Sequence, residues 1–449
     1  MSSSSEWFSL LKNALFPLNS RRRLIARFAY RALTSPSKAV RSLNRRNLRR
    51  VLPYEPLTMP LHAEDLASPE APSYRRERGN AAQPAAHAHD PSDHDQTELD
   101  IKLIAFYLPQ FHPIPENDAW WGRGFTEWTN VSAARPQFPG HHQPRLPGEL
   151  GFYDLRVPDV QKRQIELARH YGIAAFCYHF YWFGGKILLE MPLARHLADL
   201  TMDFPFCISW ANENWTRRWD GLDQDVLIAQ DHSPEDDLAF IDHIAGYLRD
   251  PRYLRVDSRP LLLVYRPALL PDANQTAERW RKRCRAHGLG EIYLVLTHAF
   301  EAVDPRKFGF DAAVEFAPNR LPMDDITARI PNLKREFRGV IYDYRSAVRL
   351  AKEYTSPSYT KFRCVCPAWD NEARMPGRSV ILAHADPAAY GDWLRHVCDY
   401  TVQRFSSSER LVFLNAWNEW AEAAYIEPDR RHGYAYLNKT RQVLSHYRR

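Results

Sequence analysis

A (β/α)8 barrel of the TIM type, with long loops after its strands, is the fold class that this 449-residue sequence predicts. Three observations predict it. Eight short apolar runs alternate with helical stretches across residues 101–449. The turn after the first run, YLPQFHPIPEND, contains no glycine, so the phosphate loop of the rival open, doubly wound sheet is missing. Polar and aromatic residues gather after nearly every run, at the strand ends where barrels carry their sites.

The elements follow in order. Residues 1–55 read as a basic amphipathic arm, with Trp7, Leu11 and Leu15, then Leu24, Phe28 and Ala32, at helical spacing and Arg or Lys between them. Such an arm suits an anionic membrane surface, or a contact with a partner or with the main domain. Residues 56–100 are rich in Pro, Ala, Ser, His and Asp and read as a disordered linker. The His and Asp residues at 87–94 read as part of that solvated linker rather than as a metal site. Strands are expected at 102–107, 174–180, 204–210, 260–265, 292–297, 312–316, 363–368 and 411–416. Most are almost continuously apolar, as parallel strands covered on both faces must be. Helices are expected at 158–171, 235–249, 277–287 and 390–405, with Pro158 suited to a first turn and Gly172 to a stop.

Charge and composition exclude several function classes. Residues 1–50 hold twelve Lys and Arg against Glu6 alone, while the whole chain is only +6, so the remainder is net −5. Residues 51–449 therefore lack the basic footprint of a nucleic-acid binder. No apolar run reaches the length of a membrane-spanning helix. The apolar stretch at 7–16 is short, contains Lys12 and Asn13, and leads into Arg21, Arg22 and Arg23, unlike a signal peptide. A cytoplasmic location is expected, with the arm reaching the inner face of the membrane. The six cysteines form no CxxC pair and read as small buried hydrophobes.

The candidate site residues follow from the strand ends. Gln110, His112, Trp120 and Trp121 follow the first strand, and His179 and Tyr181 close the second. Trp210, Asn212, Glu213 and Trp215 follow the third, Tyr265 the fourth and Glu315 the sixth. Trp369 and Asp370 follow the seventh, and Trp417, Glu419 and Glu422 the eighth. Trp and Tyr mixed with Asn, Asp, Glu and Arg is the composition of a sugar cleft: rings cover C–H faces, while amides and carboxylates bind hydroxyls. The competing reading packs each loop tryptophan beneath its loop.

Glu419-Trp420-Ala421-Glu422 is the sharpest feature. If the chain turns helical there, residues three apart share a face with Cβ atoms about 5–6 Å apart. Retaining glycosidases hold two carboxyls about 5–5.5 Å apart and inverting ones about 6.5–9.5 Å. Proximity pushes the two pKa values apart, leaving one group as acid and one as base. Glu213 is a third carboxyl, either a site residue or a partner of Arg217 or Arg218. No GxxxxGK[ST], GxGxxG, HExxH or GxSxG motif is present. His112, His179, His298 and His384 read as hydroxyl ligands or packed residues, so no metal and no cofactor is expected.

The segments FYLPQFHPIPENDAWWGRGFTEWTNV, FCYHFYWFGGK, ISWANENWTRRWDG and NAWNEWAEAAYIEPD resemble the WbsX-type family of polysaccharide-gene-cluster proteins. That family is similar to the endo-α-mannosidases of glycoside hydrolase family 99. The resemblance covers about residues 101–440. The E-W-x-E and I-E-P motif of those hydrolases corresponds to Glu419, Trp420 and Glu422 and to Ile426, Glu427 and Pro428, with Ala423 where the hydrolases carry glycine. The loops after strands 1 to 3 follow the WbsX pattern. The resemblance implies an α/β barrel without metal. It implies that Glu419 assists attack by the substrate's own 2-hydroxyl, through a 1,2-anhydro sugar, while Glu422 protonates the leaving oxygen. The expected protein is a carbohydrate-active enzyme of surface polysaccharide or O-antigen metabolism, acting on a glycan that is free or lipid-linked. The alternatives are a glycosyltransferase using a sugar-nucleotide or lipid-linked donor, and a non-catalytic glycan-binding protein.

Overall fold

The computed structural model describes residues 99–217, 222–300 and 302–448. The basic arm and the linker up to residue 98 lie outside the described residues.

Eight parallel strands close into a barrel. They are β1 (Lys102–Tyr107), β2 (Ile173–Phe183), β3 (Phe206–Trp210), β4 (Arg259–Val264), β5 (Tyr293–His298), β6 (Ala312–Glu315), β7 (Lys361–Val365) and β8 (Leu411–Leu414). Each pairs with the next, and β1 pairs with β8 as well as β2, so no barrel edge is left open. All eight apolar runs of the sequence are barrel strands. The chain adds short hairpins in the loops, including Trp215–Arg217 with Leu222–Ile228, and a parallel pair, Val340–Asp343 with Val380–Ala383.

Among the described residues the α-helices are α1 (Pro115–Trp121), α2 (Glu127–Ala133), α3 (Pro158–His170), α4 (Met191–Ala198), α5 (Pro234–Arg249), α6 (Ala273–Ala286), α7 (Tyr344–Lys352), α8 (Pro387–Arg404) and α9 (Ala435–Leu444). Their starts have local causes. Pro158 sits in the first turn of α3. Ser233, Asp272 and Asp386 accept backbone N–H bonds at the starts of α5, α6 and α8. Gly172 follows α3 in left-handed backbone, φ 86°, and an added Cβ would stand 3.0 Å from the Leu444 side chain. The left-handed backbone favours glycine there, and any Cβ would press on the Leu444 side chain. No helix among the described residues is long and apolar enough to cross a membrane.

Successive strand residues point alternately into the barrel and out beneath the helices. Phe106 points in and meets Phe316, Phe413 and His179, with ring centroids 5.0, 5.6 and 5.7 Å away. Tyr107 points out and meets Phe176 and Tyr178. On β2, His179 is inward, whereas Phe180 and Trp182 pack on α5.

The same alternation moves Trp210 out of the cleft expected for it. Its ring stacks on Phe240 of α5 at 4.6 Å and meets Trp280 of α6 edge-on at 5.7 Å. Its indole N–H donates to the Trp182 carbonyl at 3.3 Å. Trp210 is thus a core side chain. Trp210→Ala is expected to lower stability by about 3–5 kcal/mol, read as a reduced denaturant midpoint. A wild-type midpoint would contradict the outward packing.

Candidate active site

The eighth loop does not continue as the α-helix that the spacing suggested. Asn418–Glu419 and Ala424–Tyr425 form a two-residue antiparallel pair, with a 3₁₀ turn, Trp420–Glu422, between them. Residues three apart are eclipsed in a 3₁₀ turn, so Glu419 and Glu422 still share one side. Ala423 ends the turn in left-handed backbone, φ 56° and ψ 12°. Glycine adopts such backbone at least cost, yet an alanine holds it here.

One guanidinium joins the two carboxylates. Arg374 Nη1 donates to Glu422 Oε1 at 2.5 Å, and Nη2 donates to Glu419 Oε2 at 2.8 Å. Nη2 also lies 3.4 Å from Glu127 Oε2. Glu127 is fully buried, and Arg374 and Glu419 nearly so. Three carboxyl groups therefore face one cation away from bulk water. Burial pushes the Glu419 carboxyl up, with Arg374 opposing and Glu127 adding to the rise. Burial also raises Glu127, again against Arg374. Glu419 and Glu127 therefore hold a proton more tightly than exposed carboxylates do, and their titrations are linked.

Neighbouring groups line the same place. Gln110 Nε2 donates to the Tyr181 hydroxyl at 3.0 Å, and the Glu127 N–H donates to the Gln110 carbonyl. Tyr181 senses the charges of Glu419 and Arg374. His179 lies against Phe106, and burial lowers its pKa to about 4, helped by Arg374, so its imidazole is neutral. Tyr181, Trp215 and Trp120 form an aromatic wall, with successive ring centroids 5.1 and 5.7 Å apart. Beside Trp215 in sequence, Glu213 pairs with Arg266 at 2.6 Å; the Arg217 side chain and Arg218, its expected alternative partners, lie outside the described residues. Arg266 rests on Phe300, which meets Tyr265 edge-on.

Other expected site residues serve the frame. Asn212 exchanges two hydrogen bonds with the Arg266 backbone, 2.7 and 2.8 Å, tying the third loop to the fourth. Glu315 is held by Lys361 at 3.0 Å and Arg363 at 2.8 Å, and Arg363 packs on Tyr354 and Tyr400. Trp417 is buried against Phe176. His112 is buried and feels Asp154 and Arg156 rather than the carboxylate trio. Asp370 accepts from Gln143 at 2.7 Å, lies 2.7 Å from His141 Nε2, and donates its N–H to the Glu422 carbonyl. Trp369 is anchored through its carbonyl to the Leu382 N–H. Trp121 meets Phe125 at 5.9 Å. His298 bonds the Val303 carbonyl, and His384 pairs with Asp343.

Sequence reasoning missed Arg374 and Glu127. Arg374 follows Trp369 and Asp370 after the seventh strand and Glu127 lies in the long loop after the first, but neither has its partner near in sequence. Behind the turn, Asn418 exchanges two hydrogen bonds with the Leu108 backbone, 2.7 and 3.0 Å, as a strand residue would. Glu427 is buried and accepts from Trp420 Nε1 at 2.6 Å, Gln164 Nε2 at 2.7 Å and the Tyr153 hydroxyl at 3.0 Å. Burial pushes its carboxyl up to about 7, against those donors.

Residues 103–440 match the family model described as Glycosyltransferase WbsX. The chain is 56% identical over 347 residues to a protein called Uncharacterized protein WxcX from Xanthomonas campestris pv. campestris (strain B100). That match covers 77% of this chain and 50% of the relative, so the chain spans about half the length of the curated relatives it matches. Among solved structures, the GH99 endo-alpha-mannosidase from Bacteroides thetaiotaomicron is 15% identical with a TM-score of 0.47. That likeness covers 78% of this chain and 98% of the mannosidase chain. A protein described as Glycoside hydrolase-like protein is 14% identical with a TM-score of 0.49, covering 78% of this chain and 95% of its own.

Glu427 makes stability depend on pH. Its folded pKa is raised to about 7, so the stability it contributes is full below the ordinary carboxyl pKa and is lost as pH rises through 7. Between pH 4.5 and 8 the wild type should lose roughly 3 kcal/mol more than Glu427→Gln, measured by urea unfolding at each pH. Parallel pH profiles would remove the assigned cause.

Proposed function

The chain belongs to the WbsX glycosyltransferase family and is a carbohydrate-active enzyme, and we propose that it cleaves or transfers glycosidic bonds of surface polysaccharide by a retaining route at Glu419 and Glu422. The observation that carries this reading is the Arg374 bridge, which holds both carboxylates to one side of a buried turn beside an aromatic wall. Glu419 takes the proton of the substrate's 2-hydroxyl as its oxygen attacks the anomeric carbon. Burial raises the Glu419 pKa, which strengthens it as a base once it is ionised. Glu422, the more exposed of the two, gives its proton to the departing glycosidic oxygen. Water or an acceptor hydroxyl then opens the 1,2-anhydro ring, losing its proton to Glu422 while Glu419 returns one to O2.

Tyr181, Trp215 and Trp120 would cover sugar faces, with Gln110 and His179 binding hydroxyls. The glycan is an oligosaccharide or polysaccharide of the O-antigen kind. A lipid-linked form fits the basic arm at 1–55, which would bring the barrel to the anionic inner face of the membrane. The family's description as glycosyltransferases favours a second reading, transfer from a sugar nucleotide.

Product analysis separates the two. The protein is incubated with surface polysaccharide, or its lipid-linked precursor, with and without sugar nucleotides, and products are read by mass spectrometry. Shortened or rearranged glycan without nucleotide supports the proposed route. Extension only with nucleotide supports the second reading, and binding without any product would leave a glycan-binding protein. Glu422→Gln should reduce turnover of natural glycosides by about 10²–10⁴-fold and keep glycan affinity. Turnover within a few-fold of wild type would refute the role of Glu422.

A further inference from the structure

A second cluster stands apart from the carboxylate trio. His142, Asp429 and His432 bring one potential ligand atom each to within 4.8 Å of one another. The two imidazole rings are 5.9 Å apart and steeply inclined. His142 Nδ1 is buried and has no hydrogen-bond partner. Asp429 is nearly fully buried, and His432 Nδ1 lies 3.2 Å from its Oδ2.

The backbone around the cluster is firmly placed. The Gly148 N–H donates to the Pro428 carbonyl at 2.8 Å, and the Arg430 N–H donates to the Leu146 carbonyl at 3.0 Å. A Cβ on Gly148 would come within 2.9 Å of the Pro428 oxygen, so the two segments touch backbone to backbone. The Asp429 carboxylate is oriented by the Tyr425 hydroxyl at 2.7 Å and the Arg431 N–H at 2.9 Å, with a further bond from the His432 N–H. Outer-shell partners of this kind hold a metal-binding carboxylate in its working direction.

We propose that His142, Asp429 and His432 form a binding site for Zn2+ or a similar borderline divalent ion. Two imidazoles and one carboxylate, with a fourth place for water, is a ligand set that zinc accepts. In a tetrahedral zinc site neighbouring ligand atoms lie about 3.4 Å apart, so the imidazoles turn inward when the ion enters. Arg145 and Arg431 are near enough to act on His142, which disfavours a hard cation held by charge alone. The site therefore selects ions that bond to imidazole nitrogen. The ion would clip the 141–148 loop to the 428–433 turn. Tyr425 links that clip to the catalytic turn, since its ring stacks on Trp420 at 3.7 Å.

Cobalt(II) titration of the full chain tests the site, with zinc competition and thermal unfolding alongside. One saturable set of visible d–d bands, displaced by zinc, and a zinc-dependent rise in Tm are expected. His142→Ala with His432→Ala should abolish the bands and the Tm rise. Absence of saturable bands in the wild type would overturn the proposal. Bands kept by the double variant would also overturn it, placing the metal elsewhere, such as the histidine-rich stretch at 87–94. If the double variant fails to fold, His142→Gln alone decides the matter: a loss of affinity of at least tenfold is expected, and wild-type affinity overturns the site.

Discussion

Arg374 is the interaction on which the candidate site depends. Its guanidinium meets Glu419 and Glu422 from the loop after β8 and Glu127 from the loop after β1. Three carboxylates brought together out of water repel one another and lose hydration, and a single fork of donors offsets part of that cost. Barrel closure makes the meeting feasible. β8 lies between β7 and β1, so the loops that carry Arg374, the Glu419 turn and Glu127 are neighbours in space. An open sheet would part the first strand from the last.

A polar scaffold behind the turn holds its aim. Asn418 imitates a strand residue toward Leu108, Asp370 receives His141 and Gln143 and supports the Glu422 carbonyl, and Glu427 gathers Trp420, Gln164 and Tyr153. These groups are buried, so each needs its partner: an unmatched polar atom there costs more than the bond itself contributes. The network therefore fixes side-chain directions more sharply than apolar packing would. This explains how so short a turn, with Glu419 just before it and Glu422 at its end, can present two carboxylates to one guanidinium.

The aromatic residues divide by strand alternation. Tyr181 belongs to the inner set with His179, while Trp182 and Trp210 lie under α5. The inner set and the loop residues Trp120 and Trp215 make the wall beside the carboxylates. The outer set joins barrel to helices. The tryptophans of this chain thus divide between an inner wall and buried support.

The sequence by itself determined the barrel, because eight apolar runs long enough for strands, separated by helices and turn residues, admit few other packings. It also identified the Glu419 to Glu422 turn, since those two groups are neighbours along the chain and their spacing survives the change from α to 3₁₀ geometry. Only the tertiary structure decided what faces them. Glu127 stands nearly three hundred residues before Glu419, and Arg374 forty-five before it. Nothing local in sequence ties a charge to a partner at that distance; the closure of the barrel does. The outward direction of Trp210 was decided in the same way. A residue at a strand end looks alike in sequence whichever face it takes, and strand register settles the face.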